Sequence, residues 1–218
     1  MKASALLATI LFGAVSIASA TPLCAIGGTM DSYVTLGSGG CTVGDLLFSN
    51  FVYNDSGSAP GSAVFLTPIS SSLTNSGPGL SFTSNGWTAL GNQVFLDSSI
   101  FFDVGTVDGR PLISGATLAL VSSGATGDSG ATIGENVVPG GSLEVDAGGP
   151  YVSGIVFAPV NLIHIEKDLS VASLSDGSSA FIGTFDEGFS TVPEPVGTVL
   201  IGSGLLALGI WRRRVGRG

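Results

Sequence analysis

The sequence predicts an all-β fold, an antiparallel β-sandwich of jelly-roll-like character, with a closed barrel as second choice. Apolar residues come in short runs broken by Gly, Ser, Asn, Asp and Pro. Between the chain ends no stretch sustains a 3.6-residue period, whereas several alternate with period two. Turn signals recur roughly every 8–15 residues and divide the body into about ten short strands, the pattern of a two-sheet sandwich.

The strands are expected over 46–53, 63–67, 80–83, 94–96, 100–106, 117–121, 143–146, 152–157, 162–169 and 180–185. In 100–106, Ile100, Phe102 and Val104 share one face, while Asp103 and Gly105 take the other. In 162–169, Ile163, Ile165 and Leu169 fall on one side, and His164, Glu166 and Asp168 on the other. The stretch 117–121 alternates less cleanly and reads as a mostly buried strand. Between them stand Asn54-Asp55-Ser56-Gly57, Gly77-Pro78-Gly79, Asp108-Gly109, Pro139-Gly140-Gly141, Gly148-Gly149-Pro150 and Asp176-Gly177, all turn formers. Trp87 and the phenylalanines at 48, 51, 65, 82, 95, 102 and 157 are the expected core.

Both chain ends read as targeting segments. Lys2, an apolar stretch over 5–17 and the small-residue site Ala18-Ser19-Ala20 form a secretory signal peptide, residues 1–20, with cleavage between Ala20 and Thr21. Leu23 directly precedes Cys24, which does not suit a lipidation site. At the other end, residues 196–211 are an uncharged run, flanked by Arg212, Arg213, Arg214 and Arg217. A helix of that length covers about 24 Å against a hydrocarbon core of about 30 Å, short but sufficient with snorkelling arginines and local thinning. The positive-inside rule keeps the arginines cytoplasmic and places everything before Pro193 outside. On residue physics alone this is a C-terminal membrane anchor.

Pro193-Glu194-Pro195, the Gly/Leu-rich run and the arginine cluster, in that order and at the end of the chain, resemble the PEP-CTERM sorting signal of Gram-negative bacteria. The resemblance implies an exosortase partner, a membrane-embedded transpeptidase-like enzyme that processes such tails and passes the body to the cell surface or extracellular matrix. It covers residues 193–218, with the transmembrane helix at 196–211 and the basic end at 212–218. A looser resemblance joins Cys41-Thr42-Val43-Gly44-Asp45 through Ser49-Asn50-Phe51, and Lys167-Asp168-Leu169, to the bodies of other PEP-CTERM proteins. It implies a β-rich exported domain and brings no activity.

The exported domain, residues 21–190, is strongly acidic. Fifteen of the sixteen acids lie between the two ends, against only Arg110 and Lys167, an excess of thirteen negative charges. Such a surface repels nucleic acid and anionic lipid. With 44% hydrophobic residues the chain is too apolar for disorder. Cys24 and Cys41 are the only cysteines. In an oxidising compartment they are expected to pair and close a loop worth roughly 3 kcal/mol.

No catalytic constellation emerges. His164 is the single histidine, and its neighbours in the alternation, Glu166 and Asp168, read as a solvated strand face. Gly127-Asp128-Ser129-Gly130 reads as a turn, since the histidine follows it and no nucleophile elbow exists. Glu144 with Asp146, and Asp186 with Glu187 in a loop, read as exposed charge. The segment 128–135 has too few oxygens for an EF-hand loop. With 34 glycines, glycine-rich patterns carry little weight. No metal, cofactor or catalytic residue is assigned, and the protein is not expected to be an enzyme. The expected function is that of an exported structural or interaction protein of the cell surface or extracellular matrix. The alternative is a carbohydrate-binding surface module with extracellular polysaccharide as partner, resting on fold analogy.

Overall fold

The computed structural model describes residues 21–56, 59–70, 77–109 and 111–192. They form a sandwich of two antiparallel sheets. One sheet, called the acidic sheet below, has six strands. These are β2 (Cys41–Val43), β3 (Leu46–Asp55), β7 (Val94–Thr106), β9 (Ser129–Val138), β10 (Gly141–Asp146) and β12 (Leu162–Ser173), in the order β10-β9-β12-β7-β3-β2. The opposing sheet has seven strands. These are β1 (Gly28–Thr29), β4 (Phe65–Ile69), β5 (Gly79–Thr83), β6 (Thr88–Leu90), β8 (Leu112–Thr126), β11 (Val152–Val160) and β13 (Ser179–Val192). Its order is β1-β4-β5-β13-β8-β11, with β6 pairing the start of β13.

The long central strands obey the period-two rule that predicts them. β12 alternates exposed and buried residues along its whole length, and Ile163, Ile165, Leu169 and Val171 enter the core. In β7, Ser98, Ile100, Phe102 and Val104 do the same. Because β7 is one continuous strand and not two pieces, parity carries back from Phe102 to residue 95. Phe95 therefore points outward and is 63% exposed, not in the core as expected. Phe65 is also half-exposed; it sits on β4 opposite Thr83, with Leu66 turned inward instead.

Four short or glycine-rich strands escape the sequence reading, namely β1, β2, β6 and β9. The last begins inside the Gly-Asp-Ser-Gly hairpin that joins it to β8. The sequence predicts no helix between the chain ends, yet α1 (Met30–Val34) forms a single turn. Thr29 caps it, its hydroxyl accepting from the Ser32 amide at 3.3 Å. A five-residue helix is too short to display a period. Its Tyr33 donates to the Ala25 carbonyl at 2.8 Å and meets Phe51 edge-on, the ring centroids 5.2 Å apart.

The core is aromatic. Phe51, Phe48 and Phe82 each contact Phe102, and Phe82 stacks on Phe185 with centroids 4.8 Å apart. Trp87 is buried beside Phe185 and donates its indole N–H to the Ser98 hydroxyl at 3.2 Å.

Cys24 and Cys41 form a disulfide, with Cα atoms 4.8 Å apart. It pins the first described segment to β2, reinforced by the amide of Cys24 donating to Thr42 and that of Thr42 donating to Pro22. Replacing both cysteines by serine is expected to lower unfolding free energy by roughly 3 kcal/mol. Urea unfolding checks this, and the wild type in reductant should reproduce the variant's midpoint; an unchanged midpoint would refute it.

Candidate functional site

The outer face of the acidic sheet gathers the carboxylates. Cross-strand register sets Asp168 opposite Ser99 and Gly134, Glu166 opposite Phe101 and Asn136, and Ser170 opposite Asp97 and Thr132. On β10, Glu144 and Asp146 extend the same face, Asp146 accepting from the Thr132 hydroxyl at 2.8 Å and the Gly148 amide at 2.5 Å. The opposing sheet's outer face is nearly uncharged: the row Val152, Ala119, Asp186, Ser81 and Thr67 holds one acid.

His164 stands in this acidic face, opposite Asp103. Its Nδ1 lies 2.5 Å from Asp103 Oδ1, and Asn50 donates to Asp103 Oδ2 at 2.6 Å. Asn50 reaches it from a bulge in β3, where its φ is +55°, a conformation asparagine tolerates. The alternation sets His164 beside Glu166 and Asp168; the nearer acid comes from the neighbouring strand. On the other side of Asp103, β3 brings Ser49 into the same row. Serine, aspartate and histidine thus line up, but with the acid in the middle. Ser49 and His164 are two strand spacings apart, about 10 Å, so the imidazole cannot take the serine's proton. The His164 side chain is 59% exposed, and an exposed pair of this kind adds little to stability.

Beside this row lies an open groove of about 270 Å³ lined by Asn54, Asp55, Ser56, Asp97, Ser98, Ser99 and Asp168. Among the described residues no three His, Cys, Asp or Glu side chains are grouped to hold a metal ion.

The most unusual chemistry is inside. Glu187, expected in a loop as exposed charge, lies in the middle of β13, which continues to Val192. It points into the core between Phe185 and Phe189 and is fully buried. Lys167 on β12 and Glu135 on β9 sit directly opposite each other and also face inward, with no side-chain exposure. Lys167 Nζ donates to Glu187 Oε2 at 2.6 Å across the sandwich and to Glu135 Oε2 on the adjoining strand. The rings of Phe102 and Phe185 flank the amine, with centroids 6.0 and 5.8 Å from Nζ. The Oε1 atoms of both glutamates are buried and have no hydrogen-bond partner. Burial pushes the Glu187 carboxyl up to about 7, against the pull of Lys167. Burial likewise lowers the Lys167 amine, Glu187 opposing. Among the described residues Lys167 is the one lysine or arginine, so their surface carries acids with no Lys or Arg to balance them.

The inward position of Lys167 is legible in the sequence. It shares parity with Ile163, Ile165 and Leu169, and only its charge argues against burial. Trp87 and Tyr33 are buried and Tyr53 is partly so, leaving Tyr151 as the half-exposed tyrosine. Trp87 therefore offers no stacking platform for a sugar ring.

Of the residues singled out at the chain ends, Thr21 is described and exposed. Ala20, Pro193, Glu194, Pro195, Arg212, Arg213, Arg214 and Arg217 lie outside the described residues, as do the signal peptide and the predicted membrane helix. Among the described residues no helix is long and apolar enough to cross a membrane.

No protein-family model matches the chain, and no curated protein is similar to it in sequence. A solved structure of the carbohydrate-binding module TmCBM61 in complex with β-1,4-galactotriose is similar over 67% of this chain and 90% of that one, at 16% identity and a TM-score of 0.33. That overlap is too loose to carry a ligand across.

Proposed function

We propose that this chain is an exported structural protein of the cell surface or extracellular matrix, delivered through its C-terminal tail by an exosortase. The observation that supports export is the Cys24–Cys41 disulfide, a bond that persists in oxidising compartments outside the cytoplasm. The surface agrees with such a place: acids unbalanced by Lys or Arg among the described residues keep a protein hydrated and apart from nucleic acid. In the sequence, Pro193-Glu194-Pro195 comes next after β13, which runs to Val192.

The test is fractionation of cells expressing the full chain, with Pro193, Glu194 and Pro195 intact or replaced by alanine. The intact protein should reach the outer surface or medium, and the alanine variant should accumulate in the inner membrane with its body in the periplasm. Equal release of both would refute sorting through the triplet. Loss of surface delivery in cells lacking exosortase, with the disulfide still formed, identifies the processing enzyme.

A further inference from the structure

We propose that Lys167 and Glu135 become joined by an intramolecular amide bond between Nζ and Cδ, formed inside the folded sandwich with Glu187 as the proton-transfer group. The arrangement of the three side chains carries this bond, whatever route sorts the protein.

Register is the first support. Lys167 and Glu135 are directly cross-strand partners on β12 and β9, and both side chains turn into the same space. Partners so placed have Cβ atoms about 5 Å apart, a span that a lysine and a glutamate bridge together. The Nζ is already in contact with the Glu135 carboxyl. Holding amine and acid in this geometry removes the entropic barrier that makes the reaction slow between separate molecules.

Exclusion of water is the second. Condensation of an amine with a carboxylic acid releases water and is opposed by water in bulk. All three side chains have zero exposure, and the walls are the rings of Phe102 and Phe185. An ionised lysine between two ionised glutamates would leave an unbalanced negative charge there. With one further proton the site is neutral, and the same protons then describe a free amine and two carboxylic acids. Burial drives Lys167 and Glu187 toward those forms.

The step balances. The neutral Nζ attacks Cδ of the protonated Glu135 carboxyl, and the Nζ–Cδ bond forms. Nζ gives one proton to Glu187 Oε2, 2.6 Å away. Glu187 gives its own proton from Oε1, a buried oxygen that has no hydrogen-bond partner before the reaction, to the departing hydroxyl of Glu135. The Cδ–O bond breaks, one water leaves, and Glu187 ends protonated as it began. No oxidant, cofactor or activated donor takes part.

The experiment is intact-mass measurement on the full chain, purified folded with its disulfide formed and then denatured, followed by peptide mapping. The expected wild-type mass is short by one water beyond the two hydrogens of the disulfide. Mapping should recover the peptide containing residue 135 joined to that containing residue 167. Lys167→Met and Glu135→Ala should each retain the water, and Glu187→Ala should leave most of the chain unjoined. The proposal is overturned if the folded wild type has its full mass and Lys167 reacts with an amine reagent after denaturation. It is equally overturned if the missing water maps to another site. The deciding measurement is made on the wild type, so a variant that fails to fold does not alter its outcome. Joining in Glu187→Ala to the wild-type extent would overturn the role given to Glu187.

Discussion

Relative to wild-type protein in which Lys167 and Glu135 are not yet joined, Lys167→Ala is expected to destabilise the fold by about 3–5 kcal/mol, the range for removing one partner of a buried ionic group. The reason lies in what alanine leaves behind. Glu135 and Glu187 would face each other across the sandwich at zero exposure, with neither the amine nor water to satisfy them. Each already has one buried oxygen without a partner, so the site has no spare donor to recruit. For a domain of this size the loss corresponds to a fall in Tm of roughly 6–20 °C. Replacing all three residues together, Lys167→Met with Glu135→Leu and Glu187→Leu, should recover most of that loss. Well-packed apolar groups of similar volume match or exceed a buried ionic cluster. Urea unfolding followed by far-ultraviolet circular dichroism measures both. An alanine variant within about 1 kcal/mol of wild type would mean that the lysine is not held between the two carboxylates.

The same site shows how far the sequence can be read. Period two in 162–169 predicts β12 and its inward face, and the observed strand keeps that face through Val171. Continued without regard to chemistry, the alternation also places Lys167 inside. A solitary lysine reads as surface because burying a charge requires partners, and those partners come from β9 and β13. Neither can be aligned with it from sequence alone. Glycines and small polar residues at 127–134 hide β9, and Asp186-Glu187 reads as a loop although it lies within a strand. His164 illustrates the converse. Its exposure follows from parity, but its partner Asp103 belongs to a neighbouring strand and becomes visible only with the register. The disulfide needs no register, since two cysteines allow one pairing.

Strand continuity makes a second large effect testable. Phe102→Ala should cost about 3–5 kcal/mol, whereas Phe95→Ala on the same strand should change stability by no more than about 0.5 kcal/mol. Phe102 is 1% exposed and stacks on Phe51 with centroids 5.3 Å apart, against Phe48 at 6.3 Å and Phe82 at 6.1 Å. Truncation therefore opens a cavity at the meeting point of three rings, and aromatic pairs of this kind add about 0.5–1.5 kcal/mol beyond their burial. It also strips one of the two rings flanking the Lys167 amine. Phe102→Leu should lose less than alanine, because it keeps much of the volume while surrendering the ring contacts. Phe95, seven residues earlier and of opposite parity, meets solvent on the outer face opposite Ala172. The pair of substitutions thus compares one residue type on the two faces of one strand. If Phe95→Ala proved as damaging as Phe102→Ala, β7 would have to break between them, and the inward row Ser98, Ile100, Phe102 and Val104 would lose the register that aims Lys167 into the core.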